Sequence, residues 1–285
     1  SIFSVKQLSL QERYYKMNYH NNKIGPIGIF DSGYGGLTIL NSIRKKLPQY
    51  DYLYLGDNAR APYGPRSFNI VYRFTLEAVK HLFEQGCNLV ILACNTASAK
   101  ALRTIQQNDL PNIDPNKRVL GVIRPTIEKI GEITQTGNIG ILGTSGTVQS
   151  KSYDMEIMKL YPKFKVYSQS CPLWVPLVEN LEANEDGADY FVKKYINGLL
   201  SQSKDIDSII LGCTHYPLLL DKIKLYTPSN INIVEQGSIV GLVGNNGAGK
   251  TTTVSAILDL VPDPPGVIDS GKILVNGKDV RSMTA

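Results

Sequence analysis

The stretch L-V-I-L-A-C-N-T-A-S-A at 89–99 carries four consecutive apolar residues into Cys94 and then turns polar and helix-compatible. It returns at 208–218 as S-I-I-L-G-C-T-H-Y-P-L, where Cys213 takes the same place. An uninterrupted apolar run bounded by polar residues suits a strand covered on both faces, as in a parallel sheet. Such sheets bind ligands at the carboxyl ends of their strands. Both cysteines therefore fall where chemistry is expected, each ahead of a helical turn whose positive end favours a thiolate. Free cysteine is also among the most buried residue types, so either one alone would read as core. The repetition, with polar side chains directly after each thiol, argues for function.

Around these two stretches the chain alternates strands and helices. P-I-G-I-F-D at 26–31 reads as a first strand, followed by the glycine turn S-G-Y-G-G and a helix over 37–47. Further strands are expected at 52–55, 118–122, 138–142 and 164–168, with helices over 67–85, 97–107, 126–133, 152–160 and 187–200. The segment between 107 and 115 reads as a Pro- and Asn-rich loop, and G-T-S-G-T at 143–147 as another glycine turn. This pattern predicts βαβ units, hence an α/β fold of two similar lobes with largely parallel sheets and a ligand cleft between them. The lobes are expected over 24–117 and 118–237, behind an extension at 1–23 and ahead of a different segment at 238–285. Met17 reads as the start, with 1–16 as upstream sequence.

Composition narrows the function classes. The 285 residues are 42% hydrophobic and 19% charged, an ordinary globular balance with room for two domains. The net charge of +5 is scattered in short groups such as Arg44-Lys45-Lys46, which argues against a nucleic-acid-binding tail. Four cysteines without C-x-x-C spacing and only three histidines argue against a structural metal or a disulfide framework, and fit a reducing cytoplasm. No apolar stretch reaches the ~18 residues of a membrane span.

Six stretches in order carry a more specific reading: F-D-S-G-Y-G-G at 30–36, G-D-N-A-R-A-P-Y-G at 56–64, A-C-N-T-A-S-A at 93–99, G-T-S-G-T at 143–147, V-P-L-V-E at 175–179 and G-C-T-H-Y-P at 212–217. Through them residues 24–237 resemble the cofactor-independent aspartate/glutamate racemase family. The chemistry agrees: inverting an amino acid at Cα needs one acid/base group on each face of the carbon, and two thiols from two lobes would supply the pair. A thiol of ordinary pKa is only a few per cent ionised at neutral pH, so each needs a partner. The resemblance implies Asp31 beside Cys94 and His215 beside Cys213. It implies Ser32, Tyr63, Gly64, Asn95, Thr96 and Thr214 around the substrate, as Asp31 and His215 also would be. Asp57, Thr144, Thr147 and Glu179 are weaker candidates, and Cys87 and Cys171 read as core. His215 implies glutamate as substrate rather than aspartate, with D-glutamate supplied to peptidoglycan, and a homodimer. Aspartate racemisation stands as the alternative within the family.

At 237 the character changes. G-N-N-G-A-G-K-T, residues Gly244, Asn245, Asn246, Gly247, Ala248, Gly249, Lys250 and Thr251, resembles the phosphate-binding loop of ABC-transporter ATPases. In that family backbone amides cradle phosphates, the lysine reaches the β- and γ-phosphates, and the threonine holds Mg²⁺. Residues 252–285 contain neither the signature L-S-G-G-Q nor an aspartate after an apolar strand, so ATP and Mg²⁺ are expected to bind weakly if at all, without hydrolysis. A nucleotide-binding fragment is the rival reading of the whole chain. A short hairpin is expected around Asn276-Gly277.

Overall fold

The computed structural model describes residues 25–236 and two two-residue strands, Leu274–Val275 and Lys278–Asp279, which pair antiparallel as the expected hairpin. The extension at 1–23 and the phosphate-loop residues 244–251 lie outside the described residues.

Two parallel sheets organise the molecule. In the first, β1 (Ile27–Asp31), β2 (Tyr52–Gly56), β3 (Leu89–Leu92) and β4 (Arg118–Gly121) lie in the order β2-β1-β3-β4. In the second, β5 (Asn138–Gly143), β6 (Lys165–Ser170), β7 (Ser208–Gly212) and β8 (Asn232–Glu235) repeat that order as β6-β5-β7-β8. All six strand pairs within these sheets are parallel. The equivalence predicted from the two cysteine stretches therefore holds strand for strand, β3 corresponding to β7.

Two-faced burial explains the apolar runs. Along β1, Ile27 and Ile29 join Ile39, Leu40 and Ile43 of α1 (Leu37–Lys46). Phe30 instead joins Val71, Val79 and Leu82 of α2 (Phe68–Glu84) on the opposite face. In β7, Ile209 and Leu211 pack one way and Ile210 the other. Each fully buried side chain of this kind contributes roughly 1.5–3 kcal/mol. The helices are α3 (Asn95–Lys100), α4 (Ile123–Ile133), α5 (Ser145–Gln149), α6 (Ser152–Leu160), α7 (Trp174–Glu179), α8 (Asp186–Leu200) and α9 (Leu220–Tyr226), with a 3₁₀ turn over Tyr216–Leu219.

Three expectations change. β4 hydrogen-bonds to β3, so the first lobe runs through Gly121 rather than ending at 117. The segment read as a loop after 107 is helical through Ile113: a π-helical turn at Ile105–Asp109, which follows the short helix Leu102–Thr104, leads into Leu110–Ile113. Pro111 is tolerated because it falls in the first turn of that last piece, where a missing N–H breaks no helical bond. G-T-S-G-T is not a bare turn, since Thr144 caps α5 by accepting from the Thr147 N–H at 3.2 Å.

Candidate active site

The sheets place their switch points, between β1 and β3 and between β5 and β7, at the same seam. The chain turns sharply at each strand end, and those turns supply the polar groups. Asp31 ends β1, fully buried, and accepts from the Gly33 N–H at 3.1 Å. From the other lobe, the Thr214 hydroxyl donates to Asp31 Oδ1 at 3.3 Å. Close approach demands small residues: a Cβ on Gly35 would lie 2.6 Å from Thr214 Oγ1 and 2.9 Å from His215 Nδ1.

Cys94 is the N-cap of α3. Its sulfur accepts from the Ala97 N–H at 3.4 Å, and its thiol donates to Ser32 Oγ at 3.4 Å. Cys213 Sγ lies 3.8 Å from His215 Nδ1, and His215 Nε2 lies 2.5 Å from Glu179 Oε1 at the end of α7. These contacts form a chain of thiol, imidazole and carboxylate. Both sulfurs are buried, at 4% and 7% exposure.

Burial reverses the expected electrostatics. Backbone N–H groups at both turns favour the thiolates, but desolvation outweighs them and Asp31 opposes ionisation as well. Cys94 is pushed up to about 11, and Cys213 is raised further, with Cys94 adding to the effect. Cys213 thus feels the charge of Cys94 across the seam. The carboxyl of Asp31 is also raised, by burial, against the opposing pull of His215 and the N–H groups of Gly36 and Gly33. Asp31 accordingly meets both halves of the site, through the Thr214 hydroxyl and through its influence on both thiols.

The structure distributes the remaining expected residues as follows. Thr96 Oγ1 lies 2.9 Å from Thr144 Oγ1 and 3.4 Å from Thr147 Oγ1, a threonine triangle that spans the seam. The Gly64 carbonyl accepts from Gly146 N at 2.9 Å, also across it. The Tyr63 hydroxyl is committed to Asp57 Oδ2 at 2.5 Å, while Arg60 Nε holds the same oxygen at 2.6 Å. Cys87 and Cys171 are fully buried and take their place in the cores as expected. Three participants escaped the sequence reading. Tyr54 donates to the Gly33 carbonyl at 2.7 Å, and Tyr153 and Gln236 both bond the side chain of Asn95. Only Tyr153 had a signal, as a large polar residue closely following a glycine turn. Among the described residues no group of His, Cys, Asp and Glu could hold a metal, and no helix is long and apolar enough to cross a membrane.

Two parallel sheets of the same strand order, each delivering a buried cysteine to a shared polar seam, define a two-lobed α/β protein. The family model described as Asp/Glu/Hydantoin racemase matches residues 37–237, and the chain belongs to that family. It is 39% identical over 262 residues to a glutamate racemase of Persephonella marina, covering 90% of this chain and 95% of that protein. The glutamate racemase isoform of Bacillus anthracis superposes with a TM-score of 0.73 at 35% identity, 85% of each chain being covered. The enzyme from Francisella tularensis, solved with D-glutamate, gives 0.70 at 29% identity over 85% of each chain. An ABC transporter model matches residues 229–285. The two matches overlap, yet β8 completes the second sheet and Gln236 is buried at the seam, so the racemase fold holds through residue 236.

Proposed function

We propose that the chain interconverts L- and D-glutamate without a cofactor, using Cys94 and Cys213 as the two bases. The observation that carries this is the placement of the thiols: equivalent strand ends, opposite lobes and one seam, across which the charge of Cys94 reaches Cys213. One thiolate takes the Cα proton, leaving the electron pair on a carbanion stabilised by the adjacent carboxylate. The other thiol gives its proton to the opposite face, so thiol and thiolate exchange roles. Cys94 acts as base on D-glutamate and Cys213 on L-glutamate.

A raised thiol pKa makes each thiolate a stronger base toward the weakly acidic Cα–H but a scarcer one at neutral pH, so each thiol needs a neighbour that takes its proton. His215, backed by Glu179, can hold the proton released by Cys213, and Asp31 can do the same beside Cys94. Ser32, Asn95, Thr96 and Thr214, with the backbone of Tyr63 and Gly64, would hold the two substrate carboxylates. A reducing cytoplasm would keep both thiols active, in accord with four free cysteines.

The test uses L-glutamate in deuterated water at early times. D-glutamate should carry deuterium at Cα while the L pool stays protonated, because the thiol on the L side holds the abstracted proton. Extensive early labelling of the L pool would point to a single base. Aspartate should be a poor substrate, because a chain one methylene shorter misplaces Cα between the thiols; comparable efficiency on both would widen the assignment to an aspartate/glutamate racemase without preference between them.

A further inference from the structure

Beside the thiol centre, three buried polar side chains form a closed network across the seam. Asn95 follows Cys94 in the first lobe, whereas Tyr153 in α6 and Gln236 beyond β8 belong to the second. Asn95 Nδ2 donates to Gln236 Oε1 at 2.5 Å, and Gln236 Nε2 donates back to Asn95 Oδ1 at 2.6 Å, a paired-amide arrangement. The Tyr153 hydroxyl donates to the same Asn95 Oδ1 at 2.8 Å and accepts from Gln236 Nε2 at 2.6 Å. Exposures are 2%, 2% and 5% for Asn95, Tyr153 and Gln236.

Hydrogen-bond stoichiometry gives this network a direction. Both N–H groups of Gln236 are consumed within it, and the Asn95 oxygen receives two donors. Burial raises the pKa of the Tyr153 phenol, so it remains a donor. Turning the Asn95 amide over by itself would set its NH₂ against the Gln236 NH₂, which is costly for buried groups. Gln236 and Tyr153 thereby restrain the Asn95 amide, and in this arrangement of bonds one N–H of Asn95 remains outside the triad. The Tyr153 ring also lies against Gly212, where a Cβ would approach to 3.3 Å. The triad thereby ties the residue after Cys94 to the residue before Cys213.

The geometry points to Gln236 and Tyr153 as positioning residues: they lock the Asn95 amide across the lobe seam so that its remaining N–H is presented to a carboxylate of the substrate. This rests on the glutamate reading above. Neither residue touches the reacting atoms, so their loss should loosen substrate binding more than it slows proton transfer.

The experiment is steady-state kinetics of the full chain in both directions for Gln236→Leu, Tyr153→Phe and the double variant. KM for each enantiomer should rise about tenfold in either single variant with kcat within about threefold, the pattern of lost binding rather than lost transition-state contact. The double variant should be little worse than the poorer single one, since both act through Asn95. Unchanged KM in a folded Gln236→Leu protein, additive effects, or a fall in kcat at constant KM would each overturn the proposal. Should Gln236→Leu fail to fold, Tyr153→Phe carries the test, because it keeps the ring in place. If the unaltered chain does not turn over glutamate, the functional reading fails separately, and the lock is judged by the Asn95 side-chain NH₂ protons. They should exchange slowly in the unaltered chain and quickly in Tyr153→Phe; fast exchange in both would overturn it.

Discussion

Cys94 and Cys213 end equivalent strands, yet their surroundings diverge immediately beyond the sulfur. Cys94 begins a true α-helix, takes a helical N–H on its sulfur, and has a hydroxyl, Ser32, as its nearest polar side chain. Cys213 enters a 3₁₀ turn three residues on, and an imidazole backed by a carboxylate stands beside it. Cys213, the thiol whose pKa is raised further, is the one with an imidazole beside it. Strand repetition thus fixes where a thiol sits, while the local turn decides how its proton is managed.

The largest expected effect tests whether both halves are needed at all. Cys94→Ser and Cys213→Ser should each lower full racemisation by roughly 10³-fold or more, since a serine hydroxyl is a far weaker acid than a thiol. Coupled assays in both directions measure this. Substantial turnover by either variant would return that cysteine to the core.

The second prediction separates the halves. A racemase has an equilibrium constant of one, so kcat/KM must stay equal in the two directions whatever is mutated. Asymmetry can appear only in kcat and KM individually and in isotope effects. Asp31→Asn and His215→Asn should each lower kcat by about 10- to 100-fold, the scale of a lost acid/base partner. With Cα-deuterated substrates, His215→Asn should enlarge the isotope effect on L-glutamate more than on D-glutamate. Asp31→Asn should change both, because it meets Thr214 and feels both thiols. An effect of Asp31→Asn confined to the D direction would restore the simpler one-partner-per-thiol scheme.

A third prediction concerns the seam that joins the halves. Gly35→Ala places a methyl 2.6 Å from Thr214 Oγ1 and 2.9 Å from the Thr214 backbone carbon, so the lobes must part locally. Sub-ångström displacement of substrate groups is costly, and KM should rise about tenfold with little loss of thermal stability. Unchanged kinetics would show that the seam is looser than its contacts suggest.

Much of this was legible in the sequence because burial leaves a pattern. The runs at 89–92 and 208–212 read as two-faced strands, and their equivalence survives in the strand order. Glycine turns and capping residues marked the strand ends that carry Asp31, Cys94 and Cys213. Other features left no local trace. β4 sits in the first lobe because of its pairing with β3, a long-range choice that four residues do not encode. The π-helical turn at Ile105–Asp109 follows from packing rather than from propensity. Gln236 is one polar residue after a short strand, and its role exists only once Asn95 and Tyr153 arrive from elsewhere in the chain. The helix-end argument has the right direction, since backbone N–H groups favour both thiolates, but it carries no measure of the desolvation that outweighs them.

The smallest expected effect compares the catalytic thiols with a thiol that has only a packing role. Cys87 is fully buried in the first core, and its pKa is pushed up to about 11 by burial, with Lys117 opposing. Here the folded state binds the proton more tightly than the unfolded chain does. The stability it confers is present below the unfolded value of about 9 and is lost as pH rises toward 11, because the unfolded thiol ionises first. Cys87→Ala removes this titration while leaving Cys94 and Cys213 in place. The fall in Tm between pH 8 and pH 10.5 should therefore be smaller in the variant by about one or two degrees. Its activity profile over the same range should keep the wild-type shape, because that shape belongs to the seam. A variant whose Tm falls as steeply as wild type would mean that Cys87 does not titrate in this window; an altered activity profile would couple the first core to the proton chemistry.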